Sequence, residues 1–213
     1  MKQIQVIDTT FSRVSGLSFK ERLILARQLS ALGVDVIEAG ALRNTSEDKL
    51  FIKTVLPFLG NTTVSALVSD EDNAANAAWE ALSPLTNKRL VVEIPTSVVQ
   101  MEYFCHAKPD KVLDMIAARV SACAALTEEV EFSAADAVRS EPAFLVKACE
   151  MALRSGAGTA ARPPLRALPG RLGPLALGSE GRSVVLGLQT PSFSPRPEAP
   201  PGYWNASSCL SRE

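Results

Sequence analysis

Short apolar runs and longer amphipathic stretches take turns along most of this chain. Runs rich in Val, Ile and Leu occur at 3–8 (QIQVID), 34–39 (VDVIEA), 62–68 (TTVSALV), 89–96 (RLVVEIPT) and 129–133 (EVEFS). Their length and their polar or turn-forming borders predict strands. Between them, near 18–32, 46–59, 70–83, 108–126 and 141–155, the pattern predicts helices. The fourth is the clearest, because Val112, Ile116, Val120 and Cys123 recur at spacings of four, four and three and make one apolar stripe. Ser140, Glu141 and Pro142 predict an N-cap and an early helical proline for the fifth. Gly33 and Gly156 stand where the first and fifth helices should stop. Strands alternating with helices about every 30 residues predict βαβ units and a parallel sheet. Five such units fit either a doubly wound sheet or the first part of a (β/α)8 barrel.

The rhythm stops after Ala157. Residues 1–157 hold five Pro, five Gly and every Lys, whereas 158–213 hold nine Pro, seven Gly, six Arg and no Lys. The stretch GTAARPPLRALPGRLGPLALG has no sustained period and little β-branched content. The chain is therefore expected to divide into a folded part, 1–157, and an irregular Pro/Gly/Arg-rich tail, 158–213, that adds no paired strand. Such a tail is either a disordered segment or the product of a shifted reading frame, since Arg, Pro, Ala, Gly and Leu without Lys is what GC-rich DNA encodes out of frame. Five strands alone would leave the outer edges of strands one and five unpaired, which predicts poor solubility.

Bulk composition narrows the function classes. An apolar content of 46% and a charged content of 21% suit a globular protein with a core. The net charge of −1, without a dense basic cluster, argues against a nucleic-acid partner. No apolar run approaches the ~20 residues of a membrane span, and the N-terminus reads straight into a strand without a secretory signal. Cys105, Cys123, Cys149 and Cys209 form no C-x-x-C pair. That argues against a zinc site or a disulfide framework and fits the cytoplasm.

Four stretches then carry a resemblance: VIDTTFSRVSGLSF, LGVDVIEAG, IPTSVVQMEY and VEFSAADAVRSEPAFL. In order and spacing, residues 2–157 resemble the 2-isopropylmalate synthase and homocitrate synthase family, the pyruvate-carboxyltransferase-type TIM barrels. The resemblance implies a partial (β/α)8 TIM barrel of about five βα units. It also implies an acyltransferase that condenses acetyl-CoA with a small 2-oxo acid, as in leucine-type biosynthesis, together with a divalent metal and a family-type homodimer.

In a TIM barrel the working groups stand at the C-terminal strand ends. After strand one the family pattern D-T-T-L-R-D-G-E-Q is matched by Asp8, Thr9 and Thr10; Arg13 lies in the right loop but out of register, and no metal-binding Asp follows it. Glu38 after strand two matches the family and is either functional or a structural acid bonding loop amides. Arg13 and Glu38 are the catalytic candidates that the resemblance implies. After strand four, Thr96 and Ser97 match as carboxylate or carbonyl donors, but Val98 and Gln100 replace an Asp and a His. After strand five, Ser133 and Asp136 match, whereas Ala135 takes an acidic position. Asp8, Thr9, Thr10, Thr96, Ser97, Ser133 and Asp136 are thus the expected substrate-binding frame. Asp136 and Arg139 are expected to pair as a clasp at the start of helix five. The family's H-x-H has no counterpart, and the single histidine, His106, reads as a surface residue. No metal site is expected in this chain, and its activity is expected to be lost. The alternatives are a non-catalytic homologue that binds a metabolite or a partner subunit, and a related lyase or aldolase.

Overall fold

The structure is a computed structural model and describes residues 5–13, 16–162 and 183–186. Its elements follow in the order β1 (Ile7–Asp8), α1 (Thr10–Arg13), α2 (Phe19–Ala31), β2 (Val36–Ala41), α3 (Ser46–Val55), β3 (Thr63–Leu67) and α4 (Ala74–Ala81). Then come β4 (Lys88–Pro95), α5 (Val98–Tyr103), α6 (Pro109–Ala124), β5 (Val130–Ala135), α7 (Pro142–Arg154), β6 (Thr159–Arg162) and β7 (Ser183–Leu186). The strands pair in chain order and every pair is parallel. A doubly wound sheet reverses its strand order at a switch point, and this sheet does not. It is a curled, partial TIM barrel, and the doubly wound alternative falls.

Strand parity explains the sequence of each strand. Leu90, Val92 and Ile94 of β4 join the helix-packed core. Arg89, Val91 and Glu93, the alternate residues, therefore face the barrel interior. On β5, Val130, Phe132 and Ala134 pack toward the helices, leaving Glu131, Ser133 and Ala135 on the interior side. Helix α6 answers the outer face with its stripe: Val112, Ile116, Val120 and Cys123 are all fully buried. At roughly 1.5–3 kcal/mol for each large aliphatic side chain removed from water, this stripe contributes strongly to docking the helix on the sheet. Burial also raises the Cys123 thiol to about 11, which keeps it protonated and unreactive.

Helix ends follow the sequence signals with one exception. Gly33 and Gly156 both adopt positive φ just past the C-caps of α2 and α7. Gly156 has a second constraint, since a Cβ there would lie 2.6 Å from Cβ of Ala124 on α6. Gly156→Ala should therefore cost about 2–4 kcal/mol, combining backbone strain with overpacking. A urea titration checks this, and an unchanged midpoint would contradict it. The exception is Ser140. Pro142 opens α7 as expected, but the N-cap is Glu141 with no side-chain cap bond. The Ser140 hydroxyl lies against Thr96 Oγ1 instead.

The main correction concerns the tail. Most of 158–213, including Cys209, lies outside the described residues, as do residues 3 and 4 of the first expected strand. Within what is described, β6 pairs with β5 and β7 pairs with β6, so the tail does add paired strands. The physical reason is the open edge that five strands would leave. Gly158 N donates to Val130 O at 2.9 Å and leads the chain along that edge, and the β-branched pair Val184–Val185 suits β7. The outer edge of β5, expected to be bare, is covered. Two short helices, α1 and α5, were also unanticipated; each is a single turn or little more, below the length at which periodicity shows. The second predicted helix stops at Val55 and continues as a 3₁₀ turn, Leu56–Phe58, around Pro57, because a proline disfavours helical geometry in the residue before it.

Candidate active site at the barrel mouth

The first strand end builds itself from local hydrogen bonds. The Asp8 carboxylate accepts from Thr10 N at 3.1 Å and Thr10 Oγ1 at 3.0 Å, closing an Asx-type turn that starts α1. Gly40, at φ +83, sits where β2 shifts register against β3 between Glu38 and Ala41. A Cβ there would make only ordinary contact, 3.6 Å from Ser12 Cα, so the positive φ is what favours glycine. The Ser12 hydroxyl, which also bonds Thr9 O at 2.9 Å, meets the Glu38 carboxylate. Glu38 is buried. Arg13 ends α1, and its expected catalytic role lies outside the described residues, since its side chain is not among them.

At strands four and five, the polar groups face one another. Thr96 and Ser97 are both fully buried. Thr96 N and Oγ1 approach Ala135 O at 3.0 and 3.3 Å, and Thr96 Oγ1 lies 2.7 Å from Ser140 Oγ. Ser97 caps α5 by accepting from Gln100 N and donates to Asp136 Oδ2 at 2.5 Å. Arg139 Nε donates to both Asp136 carboxylate oxygens, at 2.9 and 2.8 Å, and Arg139 Nη2 lies 2.7 Å from Oδ2. The clasp expected between Asp136 and Arg139 is present, and Ser97 joins it. Ser133 Oγ reaches Glu93 Oε2 only weakly, at 3.4 Å.

Electrostatics agree with the clasp. Partial burial pushes the Asp136 carboxyl up, but the bonds from Arg139 and Ser97 and the Arg139 charge outweigh it, so the group sits below its ordinary value. A depressed folded-state value stabilises the fold above the unfolded value near 4 and loses that contribution as pH falls through the folded value. Asp136 also adopts left-handed geometry, φ 55 and ψ 31, which Asn tolerates well. Asp136→Asn thus removes the charge without backbone strain. Wild-type stability should fall more than that of Asp136→Asn as pH drops below about 4; equal slopes in acid urea titrations would contradict the clasp.

The structure therefore places Asp8 with Thr10, Glu38 with Ser12, and Thr96, Ser97 and Asp136 in one network. It brings Ser133 beside Glu93 and leaves His106 on the surface. Sequence reasoning missed Ser12, Glu93 and Ser140. For Glu93 a signal existed: an acid inside RLVVEIPT breaks the apolar run of a buried parallel strand. For Ser12 and Ser140, adjacency is purely three-dimensional. Two clefts of about 200 and 500 Å³ open beside α5, on the helix side of the barrel, and of the candidates only Thr96 lines one.

Among the described residues, the donor set at the mouth does not fit a divalent cation. Mg²⁺ and Mn²⁺ want several carboxylate or carbonyl oxygens, and Zn²⁺ imidazole or carboxylate ligands, converging on one point. Among the described residues no group of three or more His, Cys, Asp or Glu is placed to do so. Val98 and Gln100 lie on α5 where the resemblance implies an acid and an imidazole. Ala135 ends β5 without a side chain to offer.

Comparison with known proteins agrees with this architecture. Residues 10–163 match the family model described as HMGL-like. The chain is 35% identical over 162 residues to a 2-isopropylmalate synthase of Nitratidesulfovibrio vulgaris, covering 74% of this chain and 32% of the relative. It is 36% identical over 160 residues to that of Solidesulfovibrio magneticus (73% and 31%), and 37% over 163 residues to that of Bacillus cytotoxicus (74% and 32%). The chain thus spans about a third of the length of these relatives. Among solved structures, it is similar to the HMG-CoA lyase of Brucella melitensis, with a TM-score of 0.58 at 11% identity over 76% of this chain and 62% of that one. The hydroxymethylglutaryl-CoA lyase of Pseudomonas aeruginosa gives 0.56 at 14% identity, over 76% and 57%. At such identities the likeness is one of fold. With its barrel winding, its strand-end landmarks and a match over most of its folded part, the chain belongs to the HMGL-like family.

Proposed function

We propose that this chain carries the frame of a 2-isopropylmalate-synthase-like acyltransferase domain but does not perform that condensation as written. The full reaction would join acetyl-CoA to a short 2-oxo acid such as 2-oxoisovalerate, in branched-chain amino-acid biosynthesis in the cytoplasm. It requires a base for the acyl methyl group, a Lewis acid on the ketone and donors for the developing oxyanion. One observation carries the reading: Ser97 and Arg139 both bond Asp136, and Thr96 bonds Ser140, at the very strand ends where substrate should be held. A substrate carboxylate would have to displace these bonds. Arg13 and Glu38 remain the catalytic candidates, with Glu38 the acid at the β2 end and Ser12 as its neighbour.

The test is release of free CoA thiol from acetyl-CoA in the presence of 2-oxoisovalerate. No release above the uncatalysed rate is expected. Release that disappeared in Thr96→Ala or Asp136→Asn would mean a rewired and working site, and the proposal would fail. A non-catalytic barrel that binds a metabolite or a partner subunit shares the same supporting observation. The lyase or aldolase alternative draws no support from the lyase neighbours, whose likeness is one of fold.

A further inference from the structure

The segment that joins β4 to α6 has few ties to the rest of the molecule. Of residues 98–108 only Met101 is buried, while Val98, Val99, Tyr103 and Phe104 are 57%, 48%, 72% and 81% exposed. Helix α5, at its centre, has six residues, well below the ~12–15 that an isolated helix needs to hold itself together. Among the described residues, one side-chain hydrogen bond joins 97–108 to another part of the chain, that of Ser97 to Asp136. The same Ser97 caps α5. Both flanks are firm. Thr96 is fully buried and bonded to Ala135 O, and Pro109 opens the 16-residue α6 with its buried stripe. His106, at φ +47, turns the chain just before that helix. Under the segment lie the 500 Å³ cleft, walled by Met101, Ala107 and Pro109, and the 200 Å³ cleft, walled by Leu113 and Phe144. A cavity of about 150 Å³ already holds a benzene ring, so the larger cleft has room for an aromatic side chain.

We propose that residues 97–108 form a strap with two positions, latched in this structure by the bond from Ser97 to Asp136. In the second position Tyr103 and Phe104 swing into the 500 Å³ cleft and Ser97 is drawn off Asp136. Hinge motions of this kind are absorbed by a few residues at element ends, here Ser97 and His106. Elements with few buried contacts are the ones that move. Two opposed terms set the balance. Seating the aromatics removes apolar surface from water, whereas leaving the latch gives up a charge-assisted hydrogen bond. The second position is thus a minor state, populated at roughly 0.1–10%. It leaves the Ser97 hydroxyl and one Asp136 oxygen at the mouth without each other. Packing on the helix side of the barrel therefore governs which polar groups the mouth presents. The strap moves whether or not the mouth turns over a substrate.

The chain has two tyrosines, Tyr103 and Tyr203, so fluorine NMR of the full chain carrying 3-fluorotyrosine reads the strap directly, with Tyr203→Phe assigning the resonances. Relaxation dispersion should show Tyr103 exchanging on the µs–ms timescale of hinge motions. Its minor state should differ in shift from the urea-unfolded chain. Asp136→Asn weakens the latch but keeps the Ser97 cap, and should raise the minor population at least about fivefold. Phe104→Ser removes part of the apolar gain, and should lower it at least about fivefold. Circular dichroism matching the wild type shows that each variant is folded. Absence of exchange in both wild type and Asp136→Asn, a minor state at the unfolded shift, or a population unmoved by Phe104→Ser would each overturn the proposal.

Discussion

Arg89→Ala should destabilise the fold by about 3–5 kcal/mol, the usual cost of leaving one member of a buried ion pair without its partner. Arg89 Nη1 donates to Glu131 Oε2 at 3.0 Å inside the barrel, with both side chains only 7% exposed, and Arg89 Nε reaches Glu129 at 3.5 Å near the surface. Burial pushes the Glu131 carboxyl up, while the Arg89 charge and hydrogen bond pull it back. Removing Arg89 leaves burial alone, so the folded-state value climbs further. An acid with a raised folded value takes up protons on folding, and stability then falls as pH rises from the unfolded value near 4 through the folded one. The deficit of Arg89→Ala should therefore be smaller at pH 5 than at pH 8. The apolar pair Arg89→Met with Glu131→Leu should restore most of the loss, because neither charge is then buried. Denaturant titrations of the wild type and the two variants at both pH values decide this; a loss under about 1 kcal/mol for Arg89→Ala would mean the pair is not buried in solution.

Ala135→Glu should not recover acyl transfer, even though it returns an acid to the end of β5. Thiol release from acetyl-CoA with 2-oxoisovalerate should stay at least about a thousandfold below that of a working site. The new carboxylate would stand beside Asp136, which Arg139 and Ser97 already hold. Val98 would still offer no ligand, and Gln100 only a neutral amide oxygen, where the family pattern implies an Asp and a His. A Lewis acid on the ketone supplies several kcal/mol of transition-state stabilisation, and one added carboxylate does not build the site that holds it. Recovery to within tenfold of a working relative would show that Ala135 alone accounts for the lost chemistry.

Much of the fold was legible because period and burial agree. Val112, Ile116, Val120 and Cys123 announce α6 and are indeed the residues it buries. RLVVEIPT reads as a strand because both its faces are covered, so it is apolar nearly throughout. The tail misled because averaging over Pro, Gly and Arg hid Ser183–Leu186, a four-residue run whose partner strand is supplied by the chain before it. At the mouth, the Asp136–Arg139 pair was visible as an i,i+3 spacing in one loop. Ser12 with Glu38, Thr96 with Ser140 and Ser97 with Asp136 are separated by 26, 44 and 39 residues. Contacts of that kind are created by strand order and by the register shift at Gly40, and no local pattern encodes them.

Among the described residues, the polar side chains of the mouth bond one another and offer no converging set of ligands for a catalytic metal. Calorimetric titration of the full chain with Mg²⁺, Mn²⁺ and Zn²⁺ tests it most directly. No stoichiometric heat is expected at micromolar concentrations for any of the three. A clean one-to-one isotherm, abolished in Glu38→Gln or Asp136→Asn, would contradict it.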